Sequence, residues 1–158
     1  MFNHEPENYD CPFCNLLAGH ESKFNQLNDI VYQNEYATAT IAPKWWINNP
    51  GHVLVIPNKH FENIYDIPEE YLTEVYNLVK RVAIAIRSTY GCEGTSTRQH
   101  NEPAGNQDVW HLHVHLYPRY TGDGLYKNHE NTRFAEPDER LPYAEKLRKF
   151  LAEYSSKG

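Results

Sequence analysis

The segment His111-Leu112-His113-Val114-His115-Leu116-Tyr117 alternates imidazole and apolar residues with a strict period of two. That is the period at which successive side chains of a β-strand point to opposite faces. Leu112, Val114 and Leu116 must then meet a core, while His111, His113 and His115 share the other face at intervals of about 6.5–7 Å. Buried imidazoles need hydrogen-bond partners, so the polar face has to be furnished with them. A sheet packed on one side and lined with chemistry on the other is the fold this pattern demands. Histidine is also abundant, with 9 residues against 8 glycines and 6 phenylalanines.

The remaining elements follow from periodicity. Between Glu69 and Tyr90 apolar residues recur at Leu72, Val75, Val79, Val82, Ala83 and Ile86, the 3–4 spacing of a helix with one buried stripe. Asp66 is placed to cap it, Pro68 sits early, Glu69 and Glu70 suit its positive start, and Gly91 suits a left-handed stop. A second helix is predicted from Pro142 to Tyr154, with Tyr143, Leu147, Phe150, Leu151 and Tyr154 on one face. Strand signals cover 30–33, 37–41, 52–56, about 95–99 and 111–117. They are joined by short turns and do not alternate with helices, which predicts an α+β fold: about five antiparallel strands and two main helices. We expect residues 1–158 to form a single domain with its core at about 10–126. Residues 118–141 have no clear period, which predicts a long loop that is a lid, an interface arm or partly disordered.

Composition narrows the function classes. Lys+Arg 15 against Asp+Glu 21 gives 15 − 21 = −6, a poor balance for a nucleic acid polymer but compatible with a small anion. The longest aliphatic runs, at 82–86 and 53–56, are far short of a bilayer span of about 20 residues, so no membrane partner is expected. The first ten residues are acidic and lack a signal-peptide pattern, which predicts a cytoplasmic address. Cys11, Cys14 and Cys92 are then expected to be reduced, as metal ligands or idle thiols. Cys11-Pro12-Phe13-Cys14 by itself fits a redox pair, a metal knuckle or neither.

The alternating segment is the signature of the histidine-triad (HIT) family, which this chain resembles. Two further stretches match it: Pro50-Gly51-His52-Val53-Leu54-Val55-Ile56-Pro57-Asn58-Lys59-His60 and Ala104-Gly105-Asn106-Gln107-Asp108-Val109-Trp110. The resemblance runs from Cys11 to about Tyr126. It implies a nucleotide hydrolase, acting on dinucleoside polyphosphates or nucleoside phosphoramidates, in which His113 attacks the α-phosphorus and carries a covalent nucleotidyl intermediate. Physical chemistry supports that role independently, because a neutral imidazole tied down at one nitrogen aims the other lone pair outward. By the same resemblance His115 donates to the developing charge, His52 orients the triad and Gln107 contacts phosphate or leaving group. Gln99 is a further amide for phosphate, and Arg98, Arg119 and Lys127 are cations placed to meet it, Arg119 foremost. Many family members carry an Asp or Asn that binds the ribose hydroxyls eight residues before the position of His52; here that position is Lys44, followed by Trp45 and Trp46, a cation and an aromatic shelf instead.

The family branch with Cys-x-x-Cys binds a structural zinc, and the resemblance assigns its ligands to Cys11, Cys14, His60 and His111, leaving His113 and His115 for chemistry. It also implies a homodimer, with the 118–141 arm crossing the interface. His4, His20 and His129 are expected in solvent, and Cys92 as an idle buried thiol. Three other readings are open. A nucleotidyltransferase of the same superfamily has glutamine where this chain has His115, and a catalytically weak nucleotide-binding protein is compatible with Lys44. A cupin-like metal oxygenase would leave the His52 and Gln107 segments unexplained.

Overall fold

A computed structural model describes residues 2–127 and 130–155. His129, expected in solvent, lies outside the described residues. The main sheet has five antiparallel strands in the order β1-β2-β4-β6-β5. They are β1 (Ile30–Gln33), β2 (Ala37–Ile41), β4 (Val53–Pro57), β5 (Gly94–Gln99) and β6 (Val114–Arg119). Two long helices, α2 (Glu69–Thr89) and α3 (Pro137–Ser155), complete the expected α+β arrangement. Among the described residues no helix is long and apolar enough to cross a membrane.

The alternation of the histidine segment decides which side is which. Leu112, Val114 and Leu116 enter the core with Val53 and Val55 and meet Val75, Leu78, Val82 and Ile86 of α2. At roughly 1.5–3 kcal/mol for each large side chain removed from water, this face is the main stabilising contact of the fold. The other face of β4 is covered too: Leu54 and Ile56 pack on Cys11 and Phe13 of the N-terminal segment. Every residue of β4 is buried as a result.

Several boundaries differ from expectation. The ladder of β6 starts at Val114, not at His111. Residues 111–113 form an extended lead-in whose Leu112 amide donates to the Phe61 carbonyl at 2.7 Å, so the facing pattern survives while the pairing starts later. The buried stripe of α2 is Tyr71, Val75, Leu78, Val79, Val82, Ala85 and Ile86, with Leu72 and Ala83 at its half-buried margin. Pro68 occupies the N-cap position and no side chain caps the helix, whereas Gly91 takes the expected left-handed φ of +69°.

The 118–141 stretch is not one long loop. It contains β7 (Thr132–Phe134), which pairs with β3 (Lys44–Trp46), and the first turn of α3, which starts at Pro137 with Pro142 inside it. Three-residue strands carry too little period to be read, and Pro142 looked like a helix start because proline favours that place. The true start is fixed by charge. Arg140, 1% exposed, donates to both carboxylate oxygens of the buried Asp29 at 2.8 and 3.0 Å and to the Ala135 carbonyl. A short helix α1 (Pro12–Leu17) inside the Cys-x-x-Cys segment was also not anticipated.

Removing one partner of a buried pair strands the other as an uncompensated charge. Arg140→Leu should therefore lower unfolding free energy by about 3–5 kcal/mol in urea titrations. A loss below about 1 kcal/mol would mean that Asp29 and Arg140 do not fix the start of α3.

Candidate functional site

His113 Nδ1 lies 2.7 Å from the carbonyl oxygen of His111. A carbonyl can only accept, so Nδ1 carries the hydrogen and Nε2 is left with a bare lone pair. The ring is 3% exposed, with Phe13 at 5.4 Å and His115 at 4.7 Å between centroids. Burial lowers its pKa, against opposing effects from the His111 carbonyl and the Asp108 carboxylate, so the ring is neutral at pH 7.

The same logic orders the neighbouring rings. His52 Nδ1 donates to the Lys44 carbonyl at 3.2 Å, which makes its Nε2 an acceptor for the Nδ1 hydrogen of His115 at 2.9 Å. The tautomer of His115 is thereby set, with its own Nε2 the free nitrogen. His52 is stacked on Tyr117 at 4.2 Å, and Trp46 meets Tyr117 edge-on at 5.3 Å. Burial, with smaller contributions from His113 and Arg98, pushes the His52 pKa down to about 3. Burial also holds His115 well below its ordinary value. An anion bound between these rings would favour the imidazolium form of His115. Gly51, at φ +80°, sets the approach: a Cβ there would run into the Tyr143 and Tyr90 rings, so His52 can be delivered to this spot only after glycine.

A cleft of about 300 Å³ opens onto His113, between Phe13, Lys44, Trp46, His52, Asp108 and His115. A larger one of about 650 Å³ shares Lys44, Trp46, Asp108 and His115 with it and extends to Arg98, His100 and Asn106. His113, His115, His52 and Lys44 are thus brought together.

Three other expected residues are not. Gln107 is 5% exposed, and its amide donates to the Glu62 and Val109 carbonyls and accepts from the Glu102 amide, so it staples the loop instead of facing the cleft. Gln99 pairs with Val114 in the ladder, and its amide is engaged by the His100 carbonyl and Asn101. Its neighbour Arg98, paired with His115, is the residue on the triad side. Arg119 is held bidentate by Asp123 at 2.7 and 2.9 Å and by Ser96. Asp108, Asn106 and His100 joined the cleft without having been proposed for it. Asn106 reaches it through a left-handed φ of +67°, and an inward Gln107 leaves its two neighbours facing outward.

Cys11, Cys14, His60 and His111 form a second cluster, their ligand atoms all within 4.8 Å of one another. His111 Nε2 donates to the Pro57 carbonyl at 3.0 Å and His60 Nε2 to Glu5 at 2.9 Å, so each turns a bare Nδ1 toward the thiols. Sulfur–nitrogen separations are 3.4 Å (Cys11–His111), 3.3 Å (Cys14–His60) and 3.6 Å (Cys14–His111). Tetrahedral zinc, with bonds of about 2.3 Å to sulfur and 2.0–2.1 Å to nitrogen, requires edges of about 3.6 Å, so the donor set fits the ion. Burial and the adjacent Cys11 push the Cys14 thiol up to about 12, a cost that a bound cation removes. Phe13, within the Cys-x-x-Cys turn, packs edge-on against both His111 and His113.

Comparison with known proteins places these geometries. The HIT domain family model matches residues 23–122, a segment that includes both histidine clusters but begins after the two cysteines. The chain is 33% identical over 124 residues to the protein Hit of Bacillus subtilis, covering 76% of this chain and 81% of that one. It is 30% identical over 149 residues to an adenosine 5'-monophosphoramidase of Candida albicans, covering 90% and 91%. It superposes with a TM-score of 0.75 and 25% identity on a zinc-bound histidine triad family protein from Mycobacterium smegmatis, covering 94% and 98%.

Metal analysis of purified protein should give one zinc per chain, and Cys14→Ser should reduce that several-fold and lower the melting temperature. Full stability with no metal would contradict the assignment. A second expectation concerns acid. His52 is neutral when folded down to about pH 3 but takes a proton near pH 6.5 when unfolded, so its contribution erodes as pH falls below about 6.5. The slope is at most about 1.4 kcal/mol per pH unit. His113, His115 and Arg98 face the same ring and titrate or act in both proteins, so the readout is the difference between them. Denaturation of His52→Gln should show a shallower loss than wild type between pH 6.5 and 4.5, and parallel curves would contradict it.

Proposed function

Because the chain belongs to the HIT family, we propose that it is a nucleotidyl hydrolase whose nucleophile is the bare Nε2 of His113. The observation that carries this reading is the 2.7 Å bond from His113 Nδ1 to the His111 carbonyl, which leaves that lone pair facing the cleft. The substrates are nucleoside phosphoramidates or dinucleoside polyphosphates. The former are supported by the monophosphoramidase name of the Candida albicans relative.

In the first step the Nε2 lone pair forms a bond to the α-phosphorus while the bond from phosphorus to the leaving oxygen or nitrogen breaks, its electron pair departing on that atom. His115, made imidazolium by the bound anion, gives the departing atom a proton from Nε2. The His113–phosphorus adduct keeps its Nδ1 hydrogen on the His111 carbonyl, which spreads the positive charge. In the second step a water loses a proton to His115 Nε2, its oxygen attacks phosphorus, and the phosphorus–nitrogen electron pair returns to His113. Substrate and water become nucleoside monophosphate and the protonated leaving group, with both histidines restored. The transition state is loose and spreads charge over non-bridging oxygens, so prepositioned donors matter more than a strong base. His52 acts by holding His115 in the tautomer whose Nε2 faces substrate.

Zinc bound by Cys11, Cys14, His60 and His111 would supply a structural cross-link and no step of the reaction. With Lys44 at the position where the family resemblance implies an Asp or Asn, we propose that ribose and base rest against Lys44 and Trp46. The free cysteines support a cytoplasmic address, and the family resemblance supports a homodimer.

Incubation with adenosine 5'-phosphoramidate or diadenosine tetraphosphate, followed by a basic quench, should leave an adenylyl adduct on His113 detectable by mass spectrometry. His113→Ala should lower turnover by at least about 1,000-fold. A zinc-loaded wild type that forms no adduct and turns over neither compound would contradict the hydrolase reading.

A further inference from the structure

Arg98 occupies the penultimate position of β5, directly across the ladder from His115, and so lies on the triad side of the sheet. Its guanidinium is held by aromatic rings: Tyr126 at 4.5 Å, Tyr117 at 5.2 Å and Trp46 at 5.9 Å. Its Nη2 is buried and has no hydrogen-bond partner among the described residues. The contrast with other arginines is informative in a chain with excess acid. Arg119, Arg133 and Arg140 each pair with a carboxylate, from Asp123, Glu139 and Asp29 respectively, whereas no carboxylate pairs with Arg98 among the described residues. A buried nitrogen donor without an acceptor costs free energy, and a stacked guanidinium is a rigid fork suited to phosphate.

We infer that Arg98, in the part of the cleft beyond Lys44 and Trp46, forms a subsite for a phosphate of the leaving group, which selects nucleoside polyphosphates or dinucleoside polyphosphates over phosphoramidates of neutral amines. The inference rests on the hydrolase reading above and narrows its substrate class. Position supports it: the Arg98 cleft shares His115, Lys44 and Trp46 with the His113 cleft and continues past His115. In-line displacement sends the leaving group away from the nucleophile, and only a leaving group that carries its own phosphates has charge to place beside a guanidinium. The other polar walls are compatible. His100 donates its Nδ1 hydrogen to the Gly105 carbonyl at 2.7 Å, which leaves its Nε2 toward the cleft, and Asn106 offers an amide at the rim. Asp108, the one carboxylate of this lining, also borders the His113 cleft, where its field acts on His113. Tyr126, more than half exposed, lays its ring over the guanidinium and turns its hydroxyl toward Ser96 and Arg98, at the outer edge of the site.

The test uses zinc-loaded wild type, Arg98→Met, which keeps the apolar stem, and Arg98→Lys, which keeps the charge. Calorimetric titration with tripolyphosphate should show at least tenfold weaker binding for Arg98→Met, with part of the loss recovered in Arg98→Lys. The ratio of kcat/KM for diadenosine tetraphosphate to that for adenosine 5'-phosphoramidate should fall at least tenfold in Arg98→Met. Equal losses on the two substrates, or tripolyphosphate binding insensitive to residue 98, would overturn the subsite. Residue-98-dependent tripolyphosphate binding by a wild type that forms no His113 adduct would uphold the subsite and remove the hydrolase.

Discussion

One residue, His111, ties the two side-chain clusters of this molecule together. Its ring offers Nδ1 to Cys11 and Cys14, its other nitrogen is fixed by the Pro57 carbonyl, and its own carbonyl takes the Nδ1 hydrogen of His113. The Cys2His2 cluster and the His113 ring are therefore oriented by one peptide unit and one imidazole. Phe13 adds a second mechanical link, since it packs on both rings from within the Cys-x-x-Cys turn. A rotation of His111 would disturb both sites together, which is why outer-shell contacts of this kind matter as much as the ligands themselves.

Around that residue the sheet explains the rest of the site. β4 is buried on both faces, so it accepts β6 in a single register, Val53 opposite Leu116 and Leu54 opposite His115. A slip of one residue would turn the imidazoles into the core and the leucines outward, a cost that no alternative contact offsets. The left-handed Gly51 then delivers His52 beside His115; the Lys44 carbonyl sets the tautomer of His52, whose Nε2 sets that of His115. Fixed backbone acceptors orient His113 and His52, and burial keeps the rings neutral against the opposing pull of those carbonyls.

How much of this was legible in the sequence depends on whether the signal is local. Period-two alternation gave the facing of residues 111–117, and β1 and β2 carry their own boundaries in short β-branched runs between turn residues. The grouping of Cys11, Cys14, His60 and His111, and of His113, His115 and His52 along one cleft, is the grouping that the motif spacing anticipates. What failed was the destination of polar side chains. Gln107, Gln99 and Arg119 look alike in sequence whether they meet a ligand or a backbone carbonyl, and only the loop path through Glu102 and Asn106, both at positive φ, decides it. Arg140 was hidden for the opposite reason: a buried arginine with a distant aspartate leaves no periodic trace. Alternation along β5 did contain the choice between Gln99 and Arg98, once its register against His115 was known.

The protonation pattern of one ring bears most directly on all of this. Long-range nitrogen–proton NMR correlation on histidine-labelled, zinc-loaded protein at pH 7 reads which nitrogen of His113 carries the hydrogen. The geometry requires a neutral ring with hydrogen on Nδ1 and a bare Nε2. Hydrogen on Nε2, or a fully protonated imidazolium, would mean that the His111 carbonyl does not hold this side chain and that no lone pair faces the cleft.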